Sequence, residues 1–205
     1  MVIEDQCQKP TGDEGREVIK QMGERHRELT IWGLANIPKS SAKEILDIGC
    51  GGGHALKLLA LKYPNAKCHG IDLSETCVEY SKEYNKFNIQ WGKVDVQVAS
   101  AENVPFPEKS MDLITGIETY FFWPNLEQTI AHVASRLKEG GILCIISEQY
   151  FTDENREKMN EACAKYHMKL VENDVMLSFM EAAGLKTQMI LNEDKGWVTY
   201  LGFKE

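Results

Sequence analysis

The sequence predicts an α/β fold: a doubly wound, mostly parallel seven-stranded sheet with one antiparallel strand near the edge and helices on both faces. Three observations carry this expectation. From Glu44 onward, short apolar runs alternate with segments of helical periodicity, as in a parallel sheet whose crossovers are helices. The first apolar run leads straight into Gly49-Cys50-Gly51-Gly52-Gly53, with a helical pattern behind it. The chain closes on two strand-like runs separated by Asn192-Glu193-Asp194-Lys195-Gly196, a connection so short that they must pair antiparallel.

Each element has its own signal. Ile19, Met22, His26, Leu29 and Gly33 recur at helical spacing, which predicts one helix over Glu14 to Asn36, ended by Pro38. Residues 1–38 are then an N-terminal lid helix, and 39–205 the core of a single domain. The first strand is Glu44 to Ile48, followed by a helix over His54 to Lys62. After the turn at Pro64-Asn65 comes a strand over Lys67 to Ile71, and Ser74 caps a helix reaching Asn85. Strands follow at Val94 to Val98 and, past the loop Pro105-Phe106-Pro107, at Asp112 to Ile117. A helix over Leu126 to Leu137 is closed by Gly140-Gly141. The run Ile142 to Ser147 is a fully apolar strand. Helices at Glu154 to His167 and Asp174 to Ala183 precede Gly184, and the closing strands are Leu185 to Leu191 and Trp197 to Phe203.

Composition removes several function classes. A chain of 205 residues with 43% hydrophobic and 26% charged residues can bury a full core as one globular domain. Its net charge of −8 would be repelled by phosphate backbones and anionic lipid, so nucleic acid and membranes are not expected partners. Met1 to Gly15 lacks the basic start and apolar run of a signal peptide, and the most apolar run, Ile142 to Ile146, is too short to span a bilayer. A cytoplasmic location is the expectation. Six cysteines show no paired spacing and read as small core residues, and five scattered histidines give no metal-binding spacing, so no metal is expected.

The chemistry concentrates at the glycine turn. Glycines let the chain turn sharply and let a ligand approach where a Cβ would otherwise stand. In an open α/β sheet such a turn lies at the carboxyl edge of the strands, where ligands bind. A dinucleotide fingerprint, G-x-G-x-x-G, would place its third glycine at position 54, which is His54. The pattern here is G-x-G-x-G, with Asp47 two residues before the first glycine. A carboxylate there suits a cationic ligand better than a pyrophosphate. Asp72, at the end of the second strand, stands where an acidic residue can accept the ribose hydroxyls of an adenosine. The structural alternatives are a plain strand–turn–helix junction for the glycines and a helix-capping role for Asp72.

These features, with Ala99-Ser100-Ala101-Glu102-Asn103-Val104-Pro105-Phe106 and Arg136-Leu137-Lys138-Glu139-Gly140-Gly141, resemble the motif series of the type-11 family of Rossmann-like S-adenosylmethionine-dependent methyltransferases. The third segment is similar to that family's G-D-A-E-x-L-P-F stretch, with Ala99 and Ser100 in place of Gly and Asp. The fourth is similar to R-x-L-K-P-G-G, with Glu139 in place of Pro. The likeness covers residues 44 to 147. It implies S-adenosylmethionine as cofactor and S-adenosylhomocysteine as product, held by Asp47, Gly49, Cys50, Gly51, Asp72, Leu73, Ser100, Ala101, Glu102 and Ile117.

The acceptor side is less determined. After the fourth strand the chain reads Glu118-Thr119-Tyr120-Phe121-Phe122-Trp123, and aromatic faces hold flat or cationic molecules. Tyr120, Trp123, Glu148 and Trp32 are the candidate substrate contacts, while core packing is the competing reading for the rings. Methyl transfer needs chiefly alignment and exclusion of water, with a base only if the nucleophile must shed a proton. Candidates for that group are Glu118, Tyr120 and His26, with Glu148 behind them. The expected function is methyl transfer to a small molecule. A protein or nucleic-acid methyltransferase, a non-catalytic binder of the same cofactor and a nucleotide-dependent oxidoreductase are the alternatives.

Overall fold

Strand β1 (Glu44–Ile48) is buried from Ile45 to Ile48, as a strand covered on both faces must be. The computed structural model describes residues 3–205, so Met1 and Val2 of the polar start lie outside the described residues. Strand β1 pairs in parallel with β2 (Lys67–Asp72) on one side and with β4 (Met111–Ile117) on the other. Beyond these, β3 (Val94–Val98) extends the sheet from β2, and β5 (Leu137–Ser147) from β4, both in parallel. The last strand, β7 (Trp197–Lys204), inserts antiparallel between β5 and β6 (Leu185–Asn192). The order is β3-β2-β1-β4-β5-β7-β6, so β7 is the one reversed strand, next to the edge. The chain changes its direction of growth between β1 and β4, and the crevice outside their carboxyl ends is where such sheets bind ligands.

Nine α-helices occupy the described residues: α1 (Ile3–Gln8), α2 (Gly12–Arg25), α3 (Arg27–Ala35), α4 (His54–Lys62), α5 (Glu75–Tyr84), α6 (Lys86–Gln90), α7 (Leu126–Ser135), α8 (Arg156–Tyr166) and α9 (Asn173–Ala182). Alternation along the strands feeds two cores. Leu46, Leu143 and Ile145 join Ile130 and Val133 of α7 and Met176 and Met180 of α9. Ile45, Cys144 and Ile146 join Leu29 and Leu34 of α3 and Leu56 and Leu59 of α4. Ser74 caps α5 as expected, its hydroxyl accepting from the Cys77 amide at 3.1 Å.

The structure corrects three expectations. The helix expected over Glu14 to Asn36 is broken at His26 into α2 and α3, with α1 before them. Packing demands the break. A Cβ on Gly33 would lie 2.5 Å from Ile146 Cδ1, so α3 rests directly on the sheet, whereas α2 must turn away to cover the glycine turn. Gly140-Gly141 do not close the preceding helix. That helix stops at Ser135, and β5 starts at Leu137. The register with β4 jumps from Met111↔Leu137 to Leu113↔Ile142, so the glycines form a bulge, with Gly140 at φ +77°. Finally, α6 is a short helix where the sequence was read as a connection. It has no buried residue, so no apolar stripe announces it.

Four of the six cysteines, Cys50, Cys68, Cys77 and Cys144, are buried in keeping with a core role. Among the described residues no helix is long and apolar enough to cross a membrane. The tight seat of Gly33 yields a first expectation. Gly33→Leu should lower the stability by about 1–3 kcal/mol through overpacking, whereas Ile31→Leu on the exposed face of the same helix should change it by less than about 0.5 kcal/mol. Urea unfolding of the two variants checks the pair, and equal midpoints would contradict the packing of α3 on Ile146.

Candidate active site

A cavity of about 390 Å³ opens at the carboxyl ends of β1, β2 and β4, within the range of about 300–1,000 Å³ usual for small-molecule sites. Its floor is the turn after β1. Gly49 (φ +70°) and Gly51 (φ +49°) hold left-handed backbone that a side chain would strain. A Cβ on Gly49 would strike Thr119, while one on Gly51 would meet no protein atom and stand in the open cavity.

Four amides of this turn are spent internally. Gly49 and Cys50 donate to the Ile71 carbonyl at 2.8 and 3.0 Å, Gly53 to the Cys50 carbonyl at 2.8 Å, and Gly51 to Asp72 Oδ2 at 2.9 Å. A pyrophosphate would need those donors. In their place the cavity presents two carboxylates. Asp47 is 2% exposed and accepts from the Thr115 hydroxyl at 2.7 Å. Burial pushes its pKa up to about 7, against the lowering effect of Thr115 and with a further rise from Asp72. Burial likewise raises the pKa of Asp72, opposed by hydrogen bonds from Ser74 and Gly51. Asp72 Oδ1 accepts from the Ser74 amide at 2.9 Å, so the residue ties the turns after β1 and β2 together.

All ten residues assigned above to the cofactor line this one cavity: Asp47, Gly49, Cys50, Gly51, Asp72, Leu73, Ser100, Ala101, Glu102 and Ile117. His26, Glu118 and Trp123 line it too. Glu118 sits at φ +53° as β4 ends, and its Oε1 accepts from the Glu148 amide at 2.6 Å. Burial raises the Glu118 pKa, opposed by His26. Glu148 stands behind His26, its Oε1 lying 3.6 Å from His26 Nε2 and also pairing with Arg25. Burial works to raise the Glu148 pKa, but His26 and Arg25 outweigh it and hold it below the usual carboxylate range. Ligand atoms of His26, Glu118 and Glu148 fall within 4.8 Å of one another.

Two candidates are placed elsewhere, and a third is set back from the cavity wall. Tyr120 is wholly buried, packed edge-on against Tyr200 with ring centroids 6.4 Å apart, and its hydroxyl donates to the Gln149 carbonyl at 3.2 Å. Burial drives its pKa well up, so it is a core residue and neither a wall nor a proton carrier. Trp32 leans on Trp197 at 5.8 Å, away from the cavity. Glu148 reaches the site only through His26 and Glu118. The ring wall is made instead by Phe121, Phe122 and Trp123. The short helical turn over Tyr120–Phe122 exchanges the roles expected from the linear order.

Other lining residues carried no signal in the sequence. His167 and Lys169 follow α8 and reach the mouth because the Lys169 amide donates to the Phe121 carbonyl at 2.8 Å. His54, read above only as a mismatched glycine, stacks on Tyr84 at 4.4 Å and faces α2. A Cβ on Gly23 would fall inside the His54 ring and one on Gly52 would lie 2.8 Å from Ile19, so α2 lies directly over the glycine turn.

Residues 46–145 match the family model described as "Methyltransferase domain". The chain is 26% identical over 124 residues to the malonyl-[acyl-carrier protein] O-methyltransferase of Acetivibrio thermocellus, covering 60% of this chain and 42% of that one. It therefore spans less than half of that relative's length. Among solved structures, a chain of the complex between the Haloferax volcanii Trm112 methyltransferase activator and its methyltransferase superposes with a TM-score of 0.80 at 18% identity, covering 91% of this chain and 93% of that one. The geranyl diphosphate C-methyltransferase of Streptomyces coelicolor, solved with Mg2+, geranyl diphosphate and S-adenosyl-L-homocysteine, gives a TM-score of 0.75 at 12% identity over 96% of this chain and 86% of that one. The structural matches share the fold: a seven-stranded, mostly parallel sheet.

The buried Asp47 generates a test of its own. In the unfolded chain this carboxyl ionises near its ordinary 3.8, but in the folded protein only near 7. Between those values the unfolded state holds fewer protons, so Asp47 lowers stability as pH rises through the window and has its full effect above it. Asp47→Asn keeps an acceptor for Thr115 and removes this effect. Relative to wild type it should gain stability steadily from about pH 4 to pH 7, by at most about 4 kcal/mol. Urea unfolding at several pH values measures this, and a constant difference would mean that Asp47 is ionised throughout.

Proposed function

The chain belongs to the Rossmann-like, S-adenosylmethionine-dependent methyltransferases, and from that premise we propose that it transfers the methyl group of S-adenosylmethionine to a small-molecule acceptor. The observation that carries the reading is the chemistry of the cavity floor. Its glycine turn has spent the amides of Gly49, Cys50, Gly51 and Gly53, so what it turns towards a ligand is chiefly carboxylate and open space. That floor suits a cationic nucleoside and disfavours a dinucleotide.

Asp72 would hold the ribose hydroxyls, with Leu73, Ala99, Ser100 and Ala101 around the adenine and Glu102 at its edge. Asp47 and the turn from Gly49 to Gly53 would hold the amino-acid end. Bound there, the cofactor supplies an electrophilic methyl group on a sulfonium that is already a good leaving group. The protein's part is to align the acceptor and exclude water. Ile19 and Met22 of α2 cover one side of the cavity, and Phe121, Phe122 and Trp123 wall the other. The acceptor would enter between that wall and Glu118.

Calorimetry tests the reading directly. S-adenosylhomocysteine should bind and NAD should not. Gly51→Val, whose side chain would occupy the open cavity, should weaken S-adenosylhomocysteine at least about 100-fold, or roughly 2.7 kcal/mol. Wild-type affinity in a folded Gly51→Val protein would remove the site from the turn.

If α2 closes over the ligand, its amides should exchange more slowly once S-adenosylhomocysteine is bound. Hydrogen exchange that is unchanged over Gly12–Arg25 would leave α2 a fixed wall and no lid.

A further inference from the structure

We infer that the acceptor is a nucleophile that carries a proton, an amine or a hydroxyl, and not a carboxylate; His26, backed by Glu148, takes that proton. This rests on the methyltransferase reading above and names the substrate class of the same site. His26 occupies the junction of α2 and α3, lines the cavity and has its Nε2 directed to Glu148 at 3.6 Å. A proton on Nε2, facing that carboxylate, leaves Nδ1 with its lone pair free. Glu118 lies beside it in the cavity, held by the Glu148 amide.

A carboxylate acceptor has its lone pairs ready and needs no base. It would also have to approach the Glu118 carboxyl, which lines the cavity, out of bulk water, where like charges repel most strongly. An ammonium or a hydroxyl gains from the same site: Glu118 accepts its N–H or O–H, and the rings of Phe121 and Trp123 tolerate a cation or a flat ring. The step balances. The acceptor loses its proton to His26 Nδ1, its lone pair forms the new bond to the methyl carbon, and the carbon–sulfur electrons stay on sulfur as a neutral thioether. The imidazolium so formed faces Glu148 and then releases its proton to water.

A divalent cation is the rival occupant of His26, Glu118 and Glu148. Two contacts oppose it. The Arg25 guanidinium already pairs with the same Glu148 oxygen that faces His26, and Glu118 Oε1 already accepts the Glu148 amide. A metal would meet a fixed positive charge and ligand oxygens already in use.

The experiment uses the full chain with S-adenosylmethionine and three probes of similar size: benzylamine, phenol and benzoate. S-adenosylhomocysteine binding is measured first, and its failure would overturn the methyltransferase reading itself. Given that binding, methylation of benzylamine or phenol and not benzoate is expected. If no probe turns over, binding to the S-adenosylhomocysteine complex is ranked instead, again with benzoate expected last. His26→Ala should lower kcat about 100-fold or more with S-adenosylhomocysteine affinity within twofold, and added imidazole should restore part of the rate, which a merely structural role would not allow. Preference for benzoate overturns the inference, as does full activity in His26→Ala, or stimulation by Mg2+ or Mn2+ that Glu118→Gln abolishes.

Discussion

Two carboxyls, Asp47 and Asp72, are held at the ends of adjacent parallel strands and almost out of water. The site depends on how the protein tolerates them. Burying an ionised acid is costly unless it is hydrogen-bonded or met by a positive charge. Asp72 is met by two backbone amides, and those bonds shape the turns after β1 and β2. Burial drives the Asp47 pKa up to about 7, with a further push from Asp72, because the Thr115 hydroxyl alone opposes it. A cationic ligand beside these two carboxyls would favour their ionised form.

Geometry follows from the same constraint. For Gly51 to donate into Asp72 the turn must adopt a left-handed conformation, and glycine makes that inexpensive. With the amides of Gly49, Cys50, Gly51 and Gly53 consumed, the turn has less left to cradle phosphate. A G-x-G-x-G turn and a G-x-G-x-x-G turn therefore differ here in what their backbone has left to offer a ligand, beyond the spacing itself.

How much was legible in the sequence follows physical lines. That the glycine turn, Asp47 and Asp72 share one cavity was readable because backbone conformation and strand ends fix them locally, whereas Ser100 to Glu102 were placed there by the motif resemblance alone. The antiparallel pairing of β6 and β7 was readable because so short a turn allows no other. Tyr120 and Trp32 were misassigned because ring direction depends on partners far away in the sequence, Tyr200 and Trp197. His167 and Lys169 were invisible for the same reason: a single hydrogen bond to the Phe121 carbonyl brings that loop to the cavity. The break at His26 was hidden because the apolar stripe continues through it. Ile19 and Leu29 share one helical phase although their helices pack on different surfaces.

That break links cover to chemistry. Helix α3 is seated on the sheet through Gly33 and by Asn36, whose amide donates to the Thr199 hydroxyl at 2.9 Å. Helix α2 rests on the glycine turn, with Gly23 against His54 and the Arg16–Glu83 ion pair exposed at the rim. Exposed pairs of that kind contribute at most about 1 kcal/mol, and α2 also packs on α5, with Arg16 over the Tyr80 ring at 5.3 Å. His26 is the residue between the fixed helix and the covering one. Any lifting of α2 swings on its backbone and changes its distance to Glu118 and Glu148. A proton acceptor placed there would be assembled only with α2 down, the arrangement in which α2 also covers the cavity. Water exclusion and proton removal would then depend on one motion, and an open site would be both wet and without its base.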